Sequence, residues 1–143
     1  MGLALSYYGA PHAPGGLAAG YDVGWFAPTY KLLDEAWRSA KQFLGPVATR
    51  VDGSYHRIEV DKAAIDFWNI SDDAGRGRKY GLVIVDEAAI ASDLKTAWEQ
   101  GIRPTLTDYK GAAFFFSTPK GLNFFYDLYQ EADSKDDWSR YTA

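Results

Sequence analysis

At 143 residues and a net charge of −4, the chain has room for one domain and cannot hold DNA through its overall field, only through a local basic patch. It has no cysteine and only His12 and His56, which removes disulfides, thiolate zinc sites and cysteine nucleophiles and speaks against a multi-histidine metal centre. No apolar run approaches the ~18 residues of a membrane span and no leader pattern opens the chain, so the expectation is a cytosolic enzyme or module.

Residues 1–20 are rich in Gly, Ala and Pro, and Pro11, Pro14, Gly15 and Gly16 forbid a continuous helix, although 1–8 fit a short one. Residues 22–26 form a short β-prone run that Ala27-Pro28-Thr29 breaks. Thr29 then predicts the N-cap of a helix through about Leu44, with Leu33, Ala36, Trp37, Ala40 and Leu44 on one face. Gly45-Pro46 ends it. Three alternating runs at 47–51, 56–60 and 64–70 predict strands, the first two joined by a hairpin turn at Asp52-Gly53. The polar, Gly-rich segment 71–79 predicts a loop and includes the densest basic cluster, Arg76-Gly77-Arg78-Lys79.

Leu82-Val83-Ile84-Val85 is a continuous apolar run of the kind buried on both faces of a parallel sheet. A helix over about 92–100 follows, then a buried strand at 112–116. A last helix is predicted over about 123–132, with Phe124, Phe125, Leu128 and Ala132 on one face, and the start of a strand at 138–142. Parallel strands separated by helices, with an antiparallel meander inserted, make an α/β sandwich.

Two strand ends carry chemistry. In Leu82-Val83-Ile84-Val85-Asp86-Glu87, four apolar residues precede two carboxylates, the Walker B pattern of P-loop ATPases. A buried strand delivers its C-terminal end to the crevice where open α/β sheets hold ligands. There Asp86 can hold a Mg2+ ion bridging phosphates and Glu87 can orient the attacking water. An ordinary buried strand ending at an acidic helix N-terminus gives the same string. The second strand end is Phe114-Phe115-Phe116-Ser117-Thr118-Pro119-Lys120-Gly121, whose hydroxyls can sense a γ-phosphate or the lytic water. A strand, a Pro/Gly turn and a capped helix need the same residues.

Three segments occur in order and with suitable spacing: Gly24-Trp25-Phe26-Ala27-Pro28-Thr29-Tyr30, then Arg76-Gly77-Arg78-x-Tyr80-Gly81 leading into the 82–87 run and Ala88-Ala89, then Ser117-Thr118-Pro119-Lys120-Gly121-x-Asn123-x-Phe125. Together they resemble the ATPase domain of phage terminase large subunits over about residues 21–143. Each is shared with helicases; the combination is fairly specific. The resemblance implies a P-loop NTPase-like (ASCE) fold, with ATP and Mg2+ as cofactors. It makes Asp86 the metal ligand and Glu87 the catalytic carboxylate, and puts Ser117 and Thr118 beside the nucleotide, where they couple hydrolysis to movement. It further implies a motor that translocates double-stranded viral DNA into a procapsid in the cytoplasm of an infected bacterium. Its partners would be portal protein, a small terminase subunit and copies of itself in a ring, with no membrane involved. Arg76 would be the arginine finger, since a guanidinium forks onto phosphate oxygens and stays charged. A solvated basic loop pairing with Asp72 and Asp73 is the competing reading, and Arg78 the competing arginine.

The departure from the family is the absence of a G-x-x-x-x-G-K-[ST] run, whose amides and Lys hold phosphates. Gly15-Gly16 has no Lys-Ser/Thr behind it. In the family this loop opens the helix that leads to the strand at 22–26, so residues 1–8 would fall on that helix. Residues 1–20 would then be a remnant following the missing loop, and 21–143 the motor core of a truncated domain without the family's nuclease. Such a chain is expected to be inactive alone. A helicase-type DNA-dependent ATPase and a non-catalytic binding or assembly piece remain the alternatives.

Overall fold

The computed structural model describes residues 2–9, 14–71, 73–91, 93–117 and 124–131. Helix α1 (Gly2–Tyr8) and a single 3-10 turn at Leu17–Ala19 precede strand β1 (Val23–Ala27). Thr29 then has the extended backbone of an N-cap, and its Oγ1 accepts the Leu32 amide at 3.2 Å. A cap of this kind contributes about 1 kcal/mol. Helix α2 (Tyr30–Leu44) buries Leu33, Ala36, Trp37, Ala40 and Leu44, the face the sequence predicts. Each large side chain on that face stabilises its docking by about 1.5–3 kcal/mol.

The three predicted strands become β2 (Arg50–Asp52), β3 (Arg57–Val60) and β4 (Ala63–Asn69). The first is shorter than the predicted 47–51. The Val47 and Ala48 amides donate back to the Leu44 carbonyl and finish the helix, so pairing starts only at Arg50. The Asp52 side chain closes the hairpin by accepting the Ser54 and Tyr55 amides at 3.0 and 3.2 Å, an Asx turn in a four-residue loop.

With β5 (Leu82–Asp86) and β6 (Ala112–Phe116), the sheet order is β2-β3-β4-β1-β5-β6. Strands β4, β1, β5 and β6 run parallel, and β2 and β3 extend the sheet antiparallel from β4. This is the α/β sheet with an inserted meander that the sequence predicts. Trp25, Leu82 and Ile84 face α1 and α2, while Phe26, Val83 and Val85 face Leu94, Trp98 and Ile102. Because both faces are covered, β5 is apolar throughout rather than alternating. Gly24 is required by packing: a Cβ there would lie 2.7 Å from the Tyr80 ring.

The helix expected over 92–100 is broken into pieces and runs further. It comprises α3 (Leu94–Ala97), a wide π turn at Trp98–Ile102 and a 3-10 turn at Arg103–Leu106. Pro104 has no amide to continue an α ladder, and the change of pitch absorbs it. Helix α4 (Phe124–Glu131) matches the last predicted helix. Ser92, Asn123, Ala132, the strand expected at 138–142, His12, Asp72 and Thr118-Pro119 lie outside the described residues. Among the described residues no helix is long and apolar enough to cross a membrane.

Candidate active site at the carboxyl ends of the parallel strands

In the parallel register Val85 lies beside Phe26 and Asp86 beside Phe116, so Ala27, Asp86 and Ser117 reach one rim of the sheet. That rim is the ligand-binding edge of an open α/β sheet. Asp86 ends β5 half-buried. Burial pushes its carboxyl above the ordinary range, and the charges of Glu87 and then Glu35 add to the push; the Glu87 amide, which donates to it, works the other way. The donor set is thus rich in anionic oxygen and short of cation. Among the described residues no group of three or more His, Asp or Glu converges. One or two carboxylates completed by waters and phosphate oxygens suit Mg2+.

Glu87 takes a left-handed backbone at φ 45 and ψ 50, just after the strand ends. For a residue with a Cβ this costs on the order of 1–3 kcal/mol, and such strain concentrates at functional sites. A 3-10 turn at Ala88–Ile90 follows, with the Ala88 and Ala89 methyls buried and the Ile90 amide donating to the Glu87 carbonyl at 3.0 Å. From the end of β6, Ser117 Oγ accepts the Ala89 amide at 3.0 Å. The structure therefore joins Asp86, Glu87 and Ser117 in one cluster. Thr118 is outside the described residues.

A cavity of about 290 Å3 opens beside Asp86, between α1, β1 and α2, and Trp25, Leu32, Glu35 and Ser39 form part of its wall. The sequence reading passed over Glu35. It lies next to the buried stripe of α2, one turn from Leu32 and Ser39, and only its place on the wall of the cavity beside Asp86 distinguishes it from a solvated glutamate.

Arg76 lies on the loop between β4 and β5. Its guanidinium pairs with Asp73 of the same loop at 3.4 Å, both side chains being mostly exposed. The loop is firmly seated. Ala74 is buried, and Gly75, at φ 79, sits so close to Phe26 that a Cβ would lie 3.1 Å from its ring. The loop's far end is tied down by a polar network that the sequence reading also passed over. Asp66, buried on β4, accepts from Arg57 at 2.7 Å and from the Tyr80 hydroxyl at 2.8 Å, and Trp68 Nε1 donates to that hydroxyl at 2.8 Å. Arg78 Nε lies 4.0 Å from Asp66. Burial and the neighbouring Asp66 charge push the Tyr80 phenol far above its ordinary range. An Asp inside a hydrophobic strand, Ala63-Ala64-Ile65-Asp66-Phe67, was the available signal.

No family model matches the chain. It is 29% identical over 108 residues to the terminase large subunit of Escherichia phage T5, an alignment covering 72% of this chain and 25% of that protein. It is 44% identical over 54 residues to the terminase large subunit of Thermus phage G20c, covering 38% of this chain and 11% of the relative. The chain therefore spans about a quarter or less of the length of these relatives. Among solved structures, the ATPase domain of the Thermus phage P74-26 large terminase matches with a TM-score of 0.60 at 27% identity, over 77% of this chain and 52% of that one. The HK97 bacteriophage large terminase shares the fold, with a TM-score of 0.68 over 94% of this chain and 29% of its own, at 13% identity. In sequence and in fold, the chain is thus similar to the ATPase domain of phage terminase large subunits.

Proposed function

We propose that this chain is the Walker B and coupling part of an ATP-driven motor that translocates double-stranded viral DNA into the procapsid. The observation that carries the reading is Asp86 and Glu87 at the carboxyl end of β5, with Ser117 of β6 bonded to the turn that follows them. Asp86 would hold Mg2+, which supplies neutralising charge to the phosphate oxygens when bound. Glu87 accepts a proton from the attacking water and fixes its direction. Ser117 stands at the nucleotide-side end of β6, and Thr118 is assigned beside it from the sequence. Arg76, on its seated loop, reaches the site of a neighbouring copy in a homo-oligomeric ring. Portal protein and a small terminase subunit complete the assembly, in the cytoplasm of the infected cell.

The site holds carboxylates but no phosphate cradle, since the sequence has no G-x-x-x-x-G-K-[ST] run. Removing amide and Lys donors from a phosphoryl-transfer site removes most of its electrostatic stabilisation. The 143 residues alone are therefore inactive, and ATPase activity needs a phosphate-binding segment joined ahead of α1. The test is a pair of turnover measurements. The chain alone should show no ATP hydrolysis above its Glu87→Ala variant, and the chain carrying a terminase phosphate-binding segment should hydrolyse ATP with Mg2+. Turnover by the bare chain above that control would overturn the reading.

A further inference from the structure

A 3-10 turn begins with amides that have no partner inside the turn, and they must be satisfied from elsewhere. At Ala88–Ile90 the residue in the N-cap position is Glu87, whose side chain makes no capping bond. The cap comes instead from 28 residues further on: Ser117 Oγ accepts the Ala89 amide at 3.0 Å. A side chain ending one strand thus caps the turn ending its neighbour. The turn is fixed from beneath by the buried Ala88 and Ala89 methyls and from above by this bond. The residue held between the end of β5 and the capped turn is Glu87, in its left-handed conformation.

We propose that Ser117 is a positioning residue that sets the orientation of Glu87 through the Ala89 amide, so that the end of β6 and the catalytic carboxylate move as one unit. The proposal rests on the reading of Glu87 as the catalytic carboxylate, and it gives Ser117 a role other than touching the nucleotide. Its physical basis is the left-handed backbone of Glu87 beside the bond between Ser117 and Ala89. A left-handed non-glycine residue persists only where its surroundings over-determine it. Asp86 pairs with Phe116 at the end of the parallel ladder, one residue before both Glu87 and Ser117. Beyond that pair, the Ser117–Ala89 bond links the turn after β5 to the end of β6. A displacement of the β6 end therefore alters the cap and releases Glu87 toward an ordinary backbone conformation. The carboxylate would then lose its fixed direction while its charge and the Asp86 site stay in place.

The first test uses the 143-residue chain and needs no nucleotide. Amide hydrogen exchange at Ala89 and the scalar couplings that report the Glu87 φ angle are compared among the parent chain, Ser117→Ala and Ser117→Thr. Loss of one capping bond should speed exchange at Ala89 by roughly tenfold relative to Val83 and Val85 in β5. It should also move the Glu87 coupling away from a positive φ, and Ser117→Thr, which keeps the hydroxyl, should preserve both signals. Equal acceleration at Ala89, Val83 and Val85, or none at Ala89, would overturn the proposal. The second test uses an ATPase-competent chain that includes a phosphate-binding segment. Ser117→Ala should lower kcat by roughly tenfold with KM for ATP nearly unchanged, the split expected when only the transition state is affected. Ser117→Thr should restore kcat. A raised KM at unchanged kcat would assign Ser117 to nucleotide contact and overturn the positioning role. If Glu87→Gln leaves hydrolysis intact, the catalytic reading of Glu87 fails, whatever the exchange data at Ala89 show.

Discussion

The Tyr80 hydroxyl donates to Asp66 Oδ2 at 2.8 Å and accepts from Trp68 Nε1 at the same distance. Tyr80 stands at the end of the basic loop and Asp66 in the middle of β4, so this pair ties the loop carrying Arg76 and Arg78 to the sheet. Tyr80→Phe removes one atom, and with it the hydrogen-bond donor to the buried Asp66 Oδ2 and the acceptor of the half-buried Trp68 indole N–H. Unsatisfied buried groups of this kind cost about 1–3 kcal/mol. Urea unfolding should show a lower midpoint at unchanged slope, and a midpoint equal to the parent's would contradict this view of the network.

Asp86 carries a stability cost that has a definite sign. Its folded-state pKa lies above the unfolded value of 3.8, through burial first and the Glu87 charge second. The charged carboxylate therefore disfavours the fold above that raised pKa, and the cost is relieved as pH falls through it. In the metal-free chain, Asp86→Asn should raise Tm at pH 7 by on the order of 1–3 °C. Below the unfolded pKa both residues are neutral in both states, and the gain should vanish. Thermal melts at the two pH values check it; a lower Tm for the variant at pH 7 would contradict it.

Strand β6 is Ala-Ala-Phe-Phe-Phe, half-buried along its length, and it ends the sheet among the described residues. Apolar edge strands template pairing with other chains. The chain should associate with rising concentration, read as an increasing weight-average mass in sedimentation equilibrium. A monomer mass that stays constant across concentration, with one cooperative unfolding transition, would count against it.

For Arg76 the prediction concerns the assembled ring. In an ATPase-competent chain, Arg76→Ala should spare nucleotide affinity and reduce turnover on the order of 10³-fold or more. Mixing Arg76→Ala subunits with Glu87→Gln subunits should restore part of the activity if one copy's arginine serves its neighbour's site. No rescue in well-formed mixed rings would make Arg76 a residue of its own site or, as its exposed pairing with Asp73 allows, a surface charge.

The sheet was legible in the sequence wherever one physical rule dominated. The apolar run 82–85, the Thr29 cap and the α2 stripe were fixed by burial and by capping. Elements failed to match where a local competitor intervened. The 47–51 strand lost its start to the end of α2, and the helix after β5 changed pitch ahead of Pro104. The place of Asp86 and Glu87 at the end of β5 could be read because a strand end is a local pattern. Glu35, the Ser117–Ala89 bond and the Asp66–Tyr80 network join residues distant in sequence, and no single-segment pattern contains them.

The most direct measurement of the central claim is ATP binding and hydrolysis by Glu87→Gln in a chain completed with a phosphate-binding segment. Gln keeps the size and shape of Glu but not the negative charge that the proposal assigns to taking the water's proton. Nucleotide binding, followed by titration with a fluorescent ATP analogue, should remain close to the parent's. Turnover should fall by roughly 10²–10⁴-fold, the range expected for loss of a general base. If Glu87→Gln hydrolyses ATP at the parent rate, the carboxylate at the end of β5 is not the catalytic one.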